Sequence, residues 1–167
     1  MPQTSYLDIS EAGLIAGQLF ISVVNGAKLT GYNTGTTVLP AGYGAVWGPG
    51  KSLSLPSGAG SFAGILTIPQ VEIRTGYSLT AGGLFGWPAK HEVALAVTDM
   101  YAVYVDGTVG VGDPVFLNHT ASTSIPGTFR AAANSGNAQQ IAGAKFMSAA
   151  VGTSGTPALA IVNLSAN

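Results

Sequence analysis

Apolar and polar positions alternate most cleanly over residues 99–117. Tyr101, Val103 and Val105 fall on one face of an extended chain, and Ala102 and Tyr104 fall on the other. Asp106-Gly107 is a pair that supplies the positive backbone angles of a tight hairpin turn. Val109 and Val111 then resume the alternation, and Gly112-Asp113-Pro114 turns the chain again into Val115-Phe116-Leu117. The pattern predicts a strand-turn-strand unit, the central meander of a one-domain β protein.

The rest of the chain repeats this grammar in shorter phrases. Residues 19–24 are strand-like and run into Asn25-Gly26, a strong turn signal. Residues 27–46 read as two short strands around Asn33-Thr34-Gly35 and Pro40-Ala41-Gly42. Further strands are expected over 52–55, 62–72, 77–80 and 93–98, with Pro69 marking an edge or a bulge. In the last third, 127–131, 144–150 and 158–164 read as strands, and 132–140 as a surface loop. No segment sustains a helical period, and there is no fixed-period repeat. Short strands separated by many of the 24 Gly and 9 Pro predict an all-β fold, a single-domain β-barrel or β-sandwich of short antiparallel strands. Residues 1–20 lack a clean period and carry Tyr6, Leu7, Ile9, Leu14 and Ile15 as isolated apolar anchors. They are read as an extended N-terminal arm laid on another surface, with a first strand of the same domain as the alternative. Residues 21–167 form the β domain.

Composition narrows the function classes. Six basic and seven acidic residues make 8% of the chain, where about 25% is usual for a soluble domain. Hydrophobic residues reach 47% and mean hydropathy is +0.39. No window holds the roughly 18 unbroken apolar residues of a membrane span, and the N-terminus lacks the basic region of a secretory signal. Synthesis in the cytoplasm is therefore expected. Low charge weakens self-repulsion and favours packing against neighbours, which points toward assembly. A net charge of −1 with scattered cations offers no footprint for nucleic acid or a membrane surface. Without Cys there are neither disulfides nor thiolate metal sites.

Residues 45–52, Ala-Val-Trp-Gly-Pro-Gly-Lys-Ser, fit a relaxed phosphate-binding loop, which would make Lys51 the centre of a nucleotide hydrolase. Such a loop must open a helix. Here Ser52 leads into Leu53-Ser54-Leu55-Pro56, which alternates like a strand, so a Gly-Pro-Gly turn is preferred. Residues 58–63 resemble a dinucleotide fingerprint but precede a strand. Asp99, Asp106 and Asp113 are spaced by seven, yet the interleaved oxygens of a calcium loop are missing and turn roles are favoured. His91 and His119 have no carboxylate or Cys at ligand spacing, and no Ser sits in a nucleophile elbow. Neither catalytic residues, nor metal ligands, nor a cofactor site are expected. Glu72 and Arg74 share a strand face and either pair internally or bridge to a neighbour. Trp47, Phe85 and Trp87 lie in Gly/Pro-rich segments, where aromatics serve interfaces, with core packing the alternative for one or two of them.

The order of several segments resembles the capsid cement (head decoration) proteins of tailed bacteriophages. The matching pieces are residues 16–19 (Ala-Gly-Gln-Leu), 39–43 (Leu-Pro-Ala-Gly-Tyr), 62–65 (Phe-Ala-Gly-Ile) and 72–79 (Glu-Ile-Arg-Thr-Gly-Tyr-Ser-Leu). They continue through 109–115 (Val-Gly-Val-Gly-Asp-Pro-Val), 127–130 (Gly-Thr-Phe-Arg), 141–146 (Ile-Ala-Gly-Ala-Lys-Phe) and 158–164 (Ala-Leu-Ala-Ile-Val-Asn-Leu). The resemblance implies a non-enzymatic protein on the outside of the virion, bound where major capsid subunits meet and stabilising the expanded shell. It further implies a homo-oligomer, dimer or trimer, and partners that include neither nucleic acid nor membrane. The candidate interface residues are Tyr6, Leu7, Ile9, Leu14, Trp47, Arg74, Tyr77, Phe85 and Trp87. A tail-fibre or carbohydrate-binding β module is the alternative.

Overall fold

A computed structural model of the chain describes residues 16–17, 19–21, 28–68, 78–79, 84–121 and 124–164. The first half contributes β1 (Leu19–Ile21), β2 (Lys28–Asn33), β3 (Leu39–Pro40), β4 (Gly44–Trp47), β5 (Ser52–Ser54) and β6 (Phe62–Leu66). The middle contributes β7 (Ser78–Leu79), β8 (Phe85–Trp87), β9 (Glu92–Ala96), β10 (Met100–Val105) and β11 (Thr108–Val109). The last strands are β12 (Pro114–Asn118), β13 (Phe129–Arg130), β14 (Ala138–Phe146), β15 (Ala150–Val151) and β16 (Ala158–Asn163).

Strands β2-β5-β4-β6-β9 close a barrel. A second set of pairings also runs in a ring, from β10 through β13, β12, β14 and β16 back to β10. Strand β1 pairs antiparallel with β10, β3-β8-β7 form a small sheet, and β11-β15 form a two-stranded ribbon. The all-β expectation holds, and the barrel is the form taken by the first ring.

Each ring has its own core. Leu39, Tyr43, Ala45, Leu53, Ala63, Leu66, Val93 and Leu95 form one. Tyr101, Val103, Val105, Val115, Leu117, Phe129, Phe146 and Val162 dominate the other. Val46, Ile65 and Ala96 belong to first-barrel strands yet pack into the second core, while Tyr104 of β10 packs against the first. Strands β4, β6, β9 and β10 are therefore a wall shared by two cores. That explains apolar runs such as Ile65-Leu66 and Leu95-Ala96, where strict alternation would leave one polar face. Tyr43 and Tyr104 meet edge-to-face within this wall, with ring centroids 5.5 Å apart at 71°.

Three expectations are corrected. The turn at Asp106-Gly107 does not make a hairpin. Strand β10 pairs with β16 along its whole length, from Met100↔Asn163 to Val105↔Ala158, and β11 pairs with β15. Neither Asp106 nor Gly107 has positive φ; that conformation falls at Asp99 (φ 73) and Gly112 (φ 86). The physical reason is competition for an edge. The six-residue β16 takes one edge of β10, β1 and β13 pair along the other, and the two residues of β11 cannot displace them. Residues 138–140, expected in a loop, begin β14 and pair with Asn118, Leu117 and Phe116 of β12. The strand expected over 144–150 breaks after Phe146 and resumes at Ala150.

Three further points concern residues 16–87. Ala16 and Gly17, drawn into the arm, are buried in the body, where Gly17 N–H donates to Ala102 O at 2.7 Å. The aromatic segment around Phe85 and Trp87 is a strand, β8, paired with β3 and β7. The turn at Asn25-Gly26 and the edge residue Pro69 lie outside the described residues.

Candidate functional site

Of the nine candidate interface residues, Trp47, Phe85 and Trp87 lie among those described; Tyr6, Leu7, Ile9, Leu14, Arg74 and Tyr77 lie outside them. Trp47 and Trp87 are half-buried and pack against the first core. Indole Nε1 of Trp87 donates to Thr67 O at 2.6 Å, fixing the ring. Strand β8 lies so close to β3 that a Cβ on Gly86 would stand 2.3 Å from Leu39 O. Phe85, on the same strand face as Trp87 by alternation, is 44% exposed. The three aromatics thus divide: both tryptophans serve the core, and Phe85 reaches the surface.

Trp47 keeps one flank open. It lines a groove with Leu29, Thr30, Gly48 and Lys51, and Leu29 is 44% exposed. The phosphate-loop look-alike forms the tip of this groove. Strands β4 and β5 pair antiparallel, Val46↔Ser54 and Trp47↔Leu53. Gly50 (φ 63) and Lys51 (φ 61) turn the chain between them, with Ser52 N–H donating to Pro49 O. Two consecutive residues at positive φ are the signature of a tight hairpin turn. No helix follows, so no N–H fan faces a phosphate.

Two acidic residues, Asp113 and Asp106, are spent on structure. Asp113 Oδ2 accepts from Gly110 N–H at 2.7 Å across its turn. Asp106 sits deeper: Oδ1 accepts from Asn118 Nδ2 at 2.8 Å and Oδ2 from Ile125 N–H at 3.1 Å. Arg130 Nε stands 3.9 Å from Oδ1. Asn118 Nδ2 also donates to Thr128 Oγ1 at 2.9 Å, and Thr128 O–H donates to Ile125 O at 2.6 Å. This network fastens the ends of β10, β12 and β13 to the loop between β12 and β13. His91 Nδ1 lies 2.8 Å from Ala89 O, and His119 Nδ1 lies 2.9 Å from Thr120 Oγ1. Among the described residues no three His, Asp or Glu gather as a metal site would require.

Beside the network, burial pushes the Tyr43 phenol up to about 12, with Tyr104 and Asp106 adding to the shift. Burial also raises Tyr101, helped by Asp99, and Tyr104. The folded protein holds these protons to higher pH than the unfolded chain, whose phenols ionise near pH 10. The stabilisation is complete below about pH 10 and is lost as pH climbs through about 12 at Tyr43. In an alkaline absorbance titration a late-ionising group should appear, released together with loss of structure. Ionisation of all six tyrosines near pH 10 with the fold intact would contradict the buried placement of Tyr43.

One surface escaped the sequence reading. Among the described residues Val111 and Val151 are the most exposed large hydrophobic side chains, at 69% and 73%, and Met147 is 42% exposed. Val151 belongs to the β11-β15 ribbon, where Thr108 pairs with Val151 and Val109 with Ala150; Val111 and Met147 adjoin Gly112 and Phe146, which are joined by a Gly112 N–H to Phe146 O bond of 2.8 Å. Alternation alone puts Val109 and Val111 on one face. The turn over 110–113, closed by Asp113 N–H to Gly110 O, begins between them, and the first is buried while the second is exposed. The signal available was the apolar content of residues 147–151 just before the Gly-Thr-Ser-Gly-Thr-Pro stretch at 152–157.

A family model described as "Structural cement protein (E217 gp24/Pam3 gp6)" matches residues 2–165. No curated protein matches the sequence. Among solved structures, a chain of "The capsid of Myoviridae Phage XM1" is similar, with a TM-score of 0.63 and 16% identity over 90% of this chain and 89% of that one. At that identity the likeness concerns the fold.

Proposed function

The chain belongs to the structural cement proteins of phages and is a capsid component of the virion, and from that premise we propose that it clasps the outer face of an expanded head where major capsid subunits meet. The observation that carries the proposal is the family match over residues 2–165. Physical chemistry supports the mode of binding. Cement function needs many modest contacts multiplied by symmetry, and each partner need bury only about 800 Å² for specificity. A surface with few charges lets backbones approach without desolvating ions. Phe85, Val111, Met147 and the ribbon residue Val151 supply exposed apolar contacts. Residues 1–15, with Tyr6, Leu7, Ile9 and Leu14, act as the clasp, and Arg74 and Tyr77 complete the contact. The role is non-enzymatic, uses no cofactor, and places the protein as a dimer or trimer on the capsid, away from nucleic acid and membrane.

Co-sedimentation with expanded, undecorated heads tests this reading. Binding should saturate at a fixed ratio to the major capsid subunit. A variant lacking residues 1–15 should fold with an unchanged melting temperature and bind more weakly; cutting further would remove Gly17 and β1 from the edge of β10. Equal binding by the truncated protein removes the clasp. No binding by the folded full chain overturns the capsid role and favours a tail-fibre or carbohydrate-binding module, with the groove beside Trp47 as the place to look.

A further inference from the structure

The buried network around Asp106 leaves one acceptor and one donor unmatched by the described residues. Asn118 is fully buried. Both donors of its amide are used, on Asp106 Oδ1 and Thr128 Oγ1, while its own Oδ1 accepts nothing from the described residues. Arg130 Nη1 is likewise buried and donates to none of them. Native proteins rarely tolerate such groups without a partner. Flipping the amide does not cure the mismatch. A carboxylate accepts only, so the edge facing Asp106 must be the NH₂ edge, and Oδ1 is forced into the orphaned position.

The two residues are also neighbours. Strands β12 and β13 pair Phe116↔Arg130 and Leu117↔Phe129, and Asn118 N–H donates to Thr128 O at 2.9 Å. Asn118 and Arg130 are therefore diagonal neighbours on one face of the sheet, a backbone spacing of about 7–8 Å across which a side chain as long as Arg130 reaches toward Asn118. Asp106 Oδ1 anchors both, at 2.8 Å from Asn118 Nδ2 and 3.9 Å from Arg130 Nε.

We infer that this junction is a binding site for one internal water molecule, which accepts from Arg130 Nη1 and donates to Asn118 Oδ1. The chemistry selects water over an ion. An anion would suit the guanidinium but face Oδ1 and the Asp106 carboxylate. A metal cation would suit those oxygens but lie against the guanidinium. Only a small neutral group that both donates and accepts satisfies the pair, and buried waters of this kind make about three hydrogen bonds each. The bridge completes the tie between β10, β12 and β13, closing one end of the second ring without a further side chain.

A crystal structure of the protein at a resolution that orders internal solvent tests the site directly. One density peak within hydrogen-bonding distance of both atoms is expected. In solution, a water-to-protein Overhauser cross-peak of the sign given by long-lived water should reach the Asn118 side-chain amide. A direct Arg130–Asn118 hydrogen bond, or separate solvent peaks on the two atoms, would overturn the inference, as would a short-lived water signal at Asn118.

Discussion

Gly152→Ala is expected to cost at least about 3 kcal/mol, at the top of the usual range for forcing extra volume into packed structure. For a domain of this size that lowers Tm by roughly 10 °C. Gly152 is buried, and its N–H donates to Gly107 O at 3.1 Å. A Cβ there would stand 2.0 Å from Val105 O and 2.8 Å from Ala158 N. Both atoms are backbone, at the end of β10 and the start of β16, and that is the longest strand pairing in the second ring. Relief therefore requires prying β16 from β10. Gly107→Val is the instructive comparison. The sequence pattern made Gly107 the glycine of a hairpin turn, a position where a β-branched residue is costly. In the fold Gly107 lacks positive φ, and the nearest atom to an added Cβ is the far end of Arg130, at 3.3 Å. A flexible tip yields where a carbonyl does not, so the loss at Gly107 should be much the smaller. Parallel thermal unfolding of the two variants decides the matter, and a Gly152→Ala protein that melts with the parent would show that the β10–β16 contact is looser than drawn.

The same pair of glycines shows what the chain discloses locally and what it withholds. Alternation over 101–105 located β10 and even its inward face, because period two is a property of the strand alone. Pairing is a property of two strands. Nothing near Asp106 says that residues more than fifty positions away will take the edge of β10, so a nearby turn signal was given too much weight. Strand β14 was partly hidden for a related reason. Ala138-Gln139-Gln140 has little bulk and becomes a strand only because β12 supplies the ladder. Exposed apolar residues were harder still. Aromatic size flagged Trp47 and Trp87, which the first core uses, while Val111 and Val151 look like ordinary strand residues until their turns are placed. Phe85 was the one described candidate whose chemistry and exposure agree.

Asp106→Ala should be the most damaging single change in the second ring, costing about 3–5 kcal/mol, the range for removing one partner of a buried charged network. The side chain of Asp106 is fully buried and that of Arg130 is 20% exposed. Removing the carboxylate strands three groups at once: Asn118 Nδ2 loses an acceptor, Ile125 N–H loses its own, and the Arg130 guanidinium loses its nearest counter-charge. The 3.9 Å separation makes the Arg130 contribution ionic rather than hydrogen-bonded, so most of the loss should come from the two orphaned N–H donors and the desolvated charge. Asp106→Asn separates these terms. It keeps the shape and one acceptor oxygen, but its NH₂ must face either the Asn118 amide or Ile125 N–H. An intermediate loss of about 1–3 kcal/mol is expected, the cost of one unsatisfied buried group. Denaturant unfolding should rank parent, Asn and Ala in falling midpoint with a common slope. If Asp106→Ala unfolds at the parent midpoint, the carboxylate does not organise the junction, and the loop between β12 and β13 is held by Thr128 and the strand ladder alone.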